Sequence, residues 1–174
     1  MALEIERRFL VRGDGWRPHV RWQARLRQGY LVAADDGLVV RVRTRRPEAG
    51  GGAAAWLTLK APPPRGAASC TRLEFEYPIP PGDGEALLAL APDQLVKLRH
   101  GLDLPGGEWV LDVFEGRNAP LVVAEVELDD EDRSPPVPAW CVRELTGLHQ
   151  LSNAALAQRP LQAWSEAERA ALMR

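Results

Sequence analysis

Side chains two apart on a β-strand point the same way, and this chain repeatedly places its charges at that spacing. Glu4, Glu6 and Arg8 share one face of EIERRFLV, Arg41 and Arg43 one face of VVRVR, and Thr58 and Lys60 one face of WLTLK. The same holds for Arg72, Glu74 and Glu76 in TRLEFEY, Lys97 and Arg99 in LVKLRHG, Asp112 in LDVF, and Glu125 and Glu127 in VVAEVEL. Opposite them stand Val40, Val42, Leu57, Leu59, Leu73, Phe75, Val96, Leu98, Leu111, Val113, Val126 and Leu128. Eight strands are expected, near 4–11, 25–32, 38–44, 55–61, 70–78, 95–101, 109–114 and 121–128. Gly-, Pro- and Asp-rich breaks at 35–37, 48–53, 62–66 and 105–107 separate them, and connections this short favour antiparallel neighbours.

Helical periodicity is confined to 85–90, 152–158 and the segment after Ser165, where Ser165 and Glu168 make a capping-box pattern. A Pro-rich stretch at 134–138 links the last strand to this tail. The 174 residues read as one domain, with strands over about 3–128 and a helical tail over about 144–174.

Alternation alone is also met by a β-sandwich whose charged faces are simply solvated. The composition of those faces turns the reading. Solvated strands mix Thr, Ser, Gln and Asn with their charges, whereas here seven of eight strands carry almost nothing but Arg, Lys, Glu and Asp. The expected fold is therefore mainly β, an eight-stranded antiparallel closed β-barrel with a few flanking helices and the charges turned into its lumen. Seven acids (Glu4, Glu6, Glu74, Glu76, Asp112, Glu125, Glu127) would face eight bases (Arg8, Arg27, Arg41, Arg43, Lys60, Arg72, Lys97, Arg99), a net of +1. An inorganic triphosphate of roughly −5 with two Mg²⁺ would cancel such walls. Glu-x-Glu pairs offer the hard oxygen ligands that Mg²⁺ prefers, and Arg offers bidentate phosphate contacts.

The remaining composition excludes other classes. A formal net charge of −2 and a pI near 6.0 give no bulk drive toward nucleic acid or an anionic membrane. Cys70 and Cys141 have no CxxC spacing and read as small apolar residues of a reducing compartment, and His19, His100 and His149 have no metal-ligand spacing. The opening MALEIERRFLV lacks the layout of a signal peptide and no apolar run approaches a membrane span, so a cytoplasmic location is expected. Trp16, Trp22, Trp140 and Trp164 lie outside the charged strands and are expected to cover the barrel or support a homodimer contact. Of the 22 cations only Lys60 and Lys97 are lysine. Lysine, unlike arginine, can have its pKa lowered enough by burial and neighbouring cations to take a proton.

Taken in order, EIERRFLV, LRQGYL, VVRVR, WLTLK, RLEFEY, VKLRHG, VLDVFEG and LVVAEVEL resemble the motif set of CYTH proteins, the triphosphate tunnel metalloenzymes. The resemblance runs from Leu3 to about Ala157 and is closest to small bacterial proteins that hydrolyse inorganic tripolyphosphate. It implies an eight-stranded tunnel holding the triphosphate and Mg²⁺ or Mn²⁺, two ions per site. Glu4, Glu6, Glu125 and Glu127 would be the main metal ligands, completed by Glu74, Glu76 and Asp112. Arg8, Arg41, Arg43, Lys60, Arg72, Lys97 and Arg99 would grip the phosphates, and Tyr30 and Lys60 would activate the attacking water. Two positions depart from the family pattern. Arg8 replaces the usual Lys of ExExK, and Gln150-Leu151 replaces the Arg-Tyr that precedes the helix expected to plug one tunnel end. On the same fold, a class IV adenylate cyclase and a thiamine or nucleoside triphosphatase are the alternative activities, although no adenine-reading set is identifiable. A non-catalytic polyphosphate-binding module is the alternative of another class.

Overall fold

The computed structural model describes residues 3–62 and 70–173. Nine strands are present: β1 (Leu3–Val11), β2 (Val20–Ala33), β3 (Val39–Pro47), β4 (Ala54–Ala61), β5 (Thr71–Ile79), β6 (Asp93–Leu102), β7 (Glu108–Phe114), β8 (Val122–Glu127) and β9 (Cys141–Glu144). The helices are α1 (Pro81–Leu90), α2 (Asn153–Gln158) and α3 (Glu166–Met173). The expected break at 62–66 falls, from Pro63 onward, outside the described residues.

All pairings are antiparallel, in the order β5-β4-β3-β2-β6-β7-β8-β1, and β5 pairs back onto β1 to close an eight-stranded barrel. The ninth strand is a short addition. β1 pairs with β5 over Leu3–Ile5 and with β9 over Phe9–Val11, so β9 occupies the edge of β1 that β5 leaves. Four residues alternating Val and Glu with Cys and Arg are too few for a period-2 pattern to stand out, which is why the sequence reading passes over β9.

The inner face changes character along the strands. Glu4, Glu6 and Arg8 give way to Leu10 on β1, Glu127 and Glu125 to Val123 on β8, Arg99 and Lys97 to Leu95 on β6, and Asp112 to Phe114 on β7. At that end Leu10, Leu95, Phe114, Val123 and Tyr30 pack with Leu145, Leu151, Leu156, Leu161, Trp164 and Leu172 of the C-terminal tail. The tail is thus an apolar stopper set against one side of the barrel end. Its helices are capped as their sequence requires: Ser152 Oγ accepts from Ala155 N at 3.1 Å, and Ser165 and Glu168 exchange bonds of 3.2 and 2.7 Å.

Outside the barrel, Trp16, Trp109 and Trp140 join Phe9, Leu111 and Val126 in a second apolar cluster. Trp22 instead stays 41% exposed beneath Arg45. α1 covers β2, β3 and β4, burying Leu88 and Val42. That close approach needs two glycines, since a Cβ at Gly29 would lie 2.6 Å from Ala91 Cβ and one at Gly84 2.4 Å from Ala55 Cβ. Among the described residues no helix is long and apolar enough to cross a membrane. Both cysteines are free, and burial pushes the Cys141 thiol up to about 12, which keeps it protonated.

Candidate active site

Strand register decides which charges meet. Glu6 stands opposite Glu127 and Arg8 opposite Glu125 across β1–β8, Glu4 opposite Arg72 across β1–β5, Lys60 opposite Glu74 across β4–β5, and Arg99 opposite Asp112 across β6–β7. A cavity of about 290 Å³ is lined by Glu4, Glu6, Arg41, Arg43, Lys60, Glu74, Glu76, Arg99, Glu125 and Glu127. A second of about 640 Å³ is lined by Arg8, Tyr30 and Arg72, and shares Glu6, Arg41, Lys60 and Asn153 with the first. The two adjoin as one charged passage.

Most wall charges are paired. Lys60 Nζ lies 2.6 Å from Glu4 and 3.0 Å from Glu74. Arg43 and Arg41 reach Glu76 at 2.8 and 3.3 Å, and Arg99 and Arg8 reach Glu125 at 2.6 and 3.1 Å. Glu6 and Glu127 have no ion pair or hydrogen-bonding side chain among the described residues, and neither has Arg72. Burial raises the Glu6 carboxyl above the usual carboxylate range, with Glu125 and Glu4 adding to it. Burial likewise raises Glu127, reinforced by Glu4, Glu108 and Glu6, and raises Glu4 against the pull of Lys60. By contrast Glu125, though buried, is held far below that range by Arg99, Lys97 and Arg8. One wall is therefore short of positive charge at Glu6 and Glu127, with Glu4 beside them, and hard oxygen donors in that condition fit a divalent cation. As the side chains stand, no three acidic, His or Cys groups are gathered tightly enough to hold an ion, among the described residues.

Three expected site residues sit elsewhere than the sequence reading placed them. Arg27 does not face the lumen. Ala24, Leu26 and Gln28 are the β2 residues in register with Arg99, Lys97 and Arg43, so Arg27 is on the outer face, 2.7 Å from Glu85 of α1. Lys97 and Asp112 belong to the inner face but lie inside the wall, both wholly out of solvent. Asp112 Oδ2 accepts from Lys97 at 2.6 Å and from Arg99 at 2.7 Å, and Oδ1 accepts from Arg99 at 2.7 Å, so its oxygens are already engaged.

Lys60 does not show here the lowered pKa that the sequence led one to expect. Burial works against the Lys60 ammonium, but Glu4, backed by Glu6 and Glu74, outweighs it and leaves the group more basic than an ordinary lysine. Lys97 is the lysine with a depressed pKa, pulled down to about 8 by burial with Arg99 adding and Asp112 opposing. Tyr30 does face the passage, where it is buried, its hydroxyl accepting from Gln28 Nε2 at 2.9 Å. Burial holds that phenol protonated.

Two polar residues that line the smaller cavity were missed by the sequence reading. Glu108 is the cross-strand partner of Glu127 and could have been found, since it shares the parity of Val110 and Asp112. Asn153, from α2, carries no charge and gives no strand signal.

A closed antiparallel tunnel with acids and bases interleaved on its inner wall defines a protein built to hold a polyanion together with cations. The CYTH domain profile matches residues 2–159, and the chain belongs to the CYTH family. It is 34% identical over 168 residues to a protein named inorganic triphosphatase from Acetivibrio thermocellus, covering 95% of this chain and all of that one. It is 34% identical over 160 residues to another so named from Nitrosomonas europaea, covering 88% of this chain and 96% of that one. Its fold matches the crystal structure of the inorganic triphosphatase NE1496 with a TM-score of 0.59 and 32% identity, over 90% of this chain and 95% of that one. A protein of Pyrococcus horikoshii, at 18% identity and a TM-score of 0.55, has the same fold over 98% of this chain and 99% of its own.

Proposed function

We propose that this chain hydrolyses inorganic triphosphate to pyrophosphate and phosphate inside the tunnel, with Mg²⁺ or Mn²⁺ bound. The observation that carries this is the shared cavity of about 290 Å³ in which unpaired Glu6 and Glu127 face Arg41, Arg43, Arg99 and Lys60. Its relatives bearing the name inorganic triphosphatase support the same reaction.

In this reading Arg41, Arg43 and Arg99, with Arg72 and Arg8 beside them, hold phosphoryl oxygens by charge-assisted hydrogen bonds. Arg43 is pulled down to about 10 by burial and by Arg41, a crowding of positive charge that an added anion would relieve. Glu4, Glu6 and Glu127, with Glu125 close by, would hold the metal, whose chemistry there would be to polarise the phosphoryl group and to orient or acidify a water. Phosphoryl transfer asks the protein mainly for positioning and charge stabilisation. Lys60 accordingly acts as a fixed positive charge, and the Tyr30 hydroxyl orients the attacking water as a neutral donor. The enzyme works in the cytoplasm, where its two thiols stay reduced.

The test is phosphate release from tripolyphosphate, ATP and thiamine triphosphate with Mg²⁺ or Mn²⁺. Fastest turnover of tripolyphosphate is expected. Faster turnover of ATP would overturn the substrate, and tight binding without metal-stimulated turnover would make the chain a polyphosphate-binding module.

A further inference from the structure

Asn153 is the residue of the tail that faces both cavities, yet its side chain is tied to the barrel wall. Its Oδ1 accepts a hydrogen bond from Lys97 Nζ at 3.2 Å, and Lys97 in turn is held by Asp112 at 2.6 Å. An ammonium has donors only, so the amide must turn its oxygen toward Lys97 and its NH₂ the other way. That NH₂ has no partner among the described residues, and Asn153 lines the cavity together with Arg41, Lys60 and Arg99. Two N–H donors are thus presented, uncharged and pre-oriented, beside the cations assigned above to the phosphates.

We propose that Asn153 is a substrate contact, its Nδ2 donating to a phosphoryl oxygen of the triphosphate, and that Lys97 fixes the amide in the orientation this requires. The inference rests on the triphosphate reading of the tunnel. It gives the tail a part in binding beyond closing the barrel end, and it gives buried Lys97 a positioning role although it does not line the cavity. A side-chain amide contributes no net charge, so it adds a directional hydrogen bond without disturbing the balance of acids and bases.

The experiment is titration calorimetry of tripolyphosphate in EDTA, which reads binding whether or not turnover occurs, beside thermal unfolding. Asn153→Asp keeps the shape and an acceptor for Lys97 but points a carboxylate oxygen where the donor was. Affinity should fall at least about ten-fold with an unchanged melting temperature, and in the presence of Mg²⁺ KM should rise by a similar factor. Asn153→Ala should weaken binding about five-fold, and adding Lys97→Met to it should cost little further affinity, because the two residues act as one unit. Wild-type affinity in both Asn153 variants would overturn the proposal, as would a lowered melting temperature with affinity intact. If wild type binds tripolyphosphate without hydrolysing it, the proposed function fails while the Asn153 contact is still read from binding. A wild type that neither binds tripolyphosphate in EDTA nor turns it over with Mg²⁺ overturns both.

Discussion

Lys97 Nζ lies 2.6 Å from Asp112 Oδ2, and neither side chain touches solvent. An ammonium whose pKa is about 8 in the folded protein, against an ordinary 10.5, costs stability while it is charged. Between those values the unfolded chain binds the extra proton, so stability gains with rising pH across that window. Urea unfolding of wild type against Lys97→Met from pH 7.5 to 10.5 should show wild type gaining on the variant by about 3 kcal/mol. A pH-independent difference would mean that Lys97 keeps an ordinary pKa.

Asp112→Asn removes the negative charge shared by buried Lys97 and half-buried Arg99 and turns one of its two acceptor oxygens into a donor. The expected loss is about 3 to 5 kcal/mol of stability. Because Asp112 does not line the cavity, the Mg²⁺ concentration for half-maximal turnover should stay within about two-fold of wild type at a temperature where the variant is folded. A strongly raised metal requirement would restore Asp112 to the metal ligands.

Lys60→Arg and Lys60→Met separate charge from proton transfer. If Lys60 serves as a fixed positive charge against the triphosphate, the arginine variant should keep kcat within about ten-fold of wild type, and the methionine variant should lose about a hundred-fold or more. Equal collapse of both, measured by phosphate release, would make Lys60 a base.

Glu6→Gln removes a carboxylate that burial, Glu125 and Glu4 all press toward its protonated form. In EDTA the variant should melt higher than wild type. A carboxylate with a raised pKa imposes its cost only once ionised, so the gain should vanish in acid and develop as pH rises through and above the usual carboxylate range. The same variant should need at least about ten times more Mg²⁺ for half-maximal turnover.

Arg27→Ala breaks only an exposed pair with Glu85, worth about 0.5 kcal/mol. Turnover and KM for tripolyphosphate should match wild type. A raised KM would return Arg27 to the substrate wall.

The barrel was legible in the sequence because seven of its strands write their inner face in charge, and a spacing of two residues needs no tertiary knowledge to be seen. β2 was misread for the converse reason. Its inward set of Ala24, Leu26, Gln28 and Tyr30 is uncharged, so the charge pattern selected Arg27 on the wrong parity. Which lysine carries the depressed pKa was not legible because each pKa depends on neighbours from distant strands: Glu4 and Glu74 flank Lys60, whereas enclosure within the wall dominates at Lys97 with Arg99 adding to it. Asn153 stayed hidden because a neutral side chain on a short helix gains meaning only from the cavity it faces.

Lys60 between Glu4 and Glu74, and Arg41 and Arg43 on Glu76, mean that cations suited to phosphate already hold carboxylates, and carboxylates suited to metal already hold cations. Phosphate arriving alone would strand those carboxylates, and metal arriving alone would strand those cations, each left charged in a confined space. When both arrive, the old pairs dissolve and every charge finds a new partner. Triphosphate and divalent ion should therefore tighten one another's hold on the tunnel by the same factor in either order of addition, a reciprocity that thermodynamic linkage imposes.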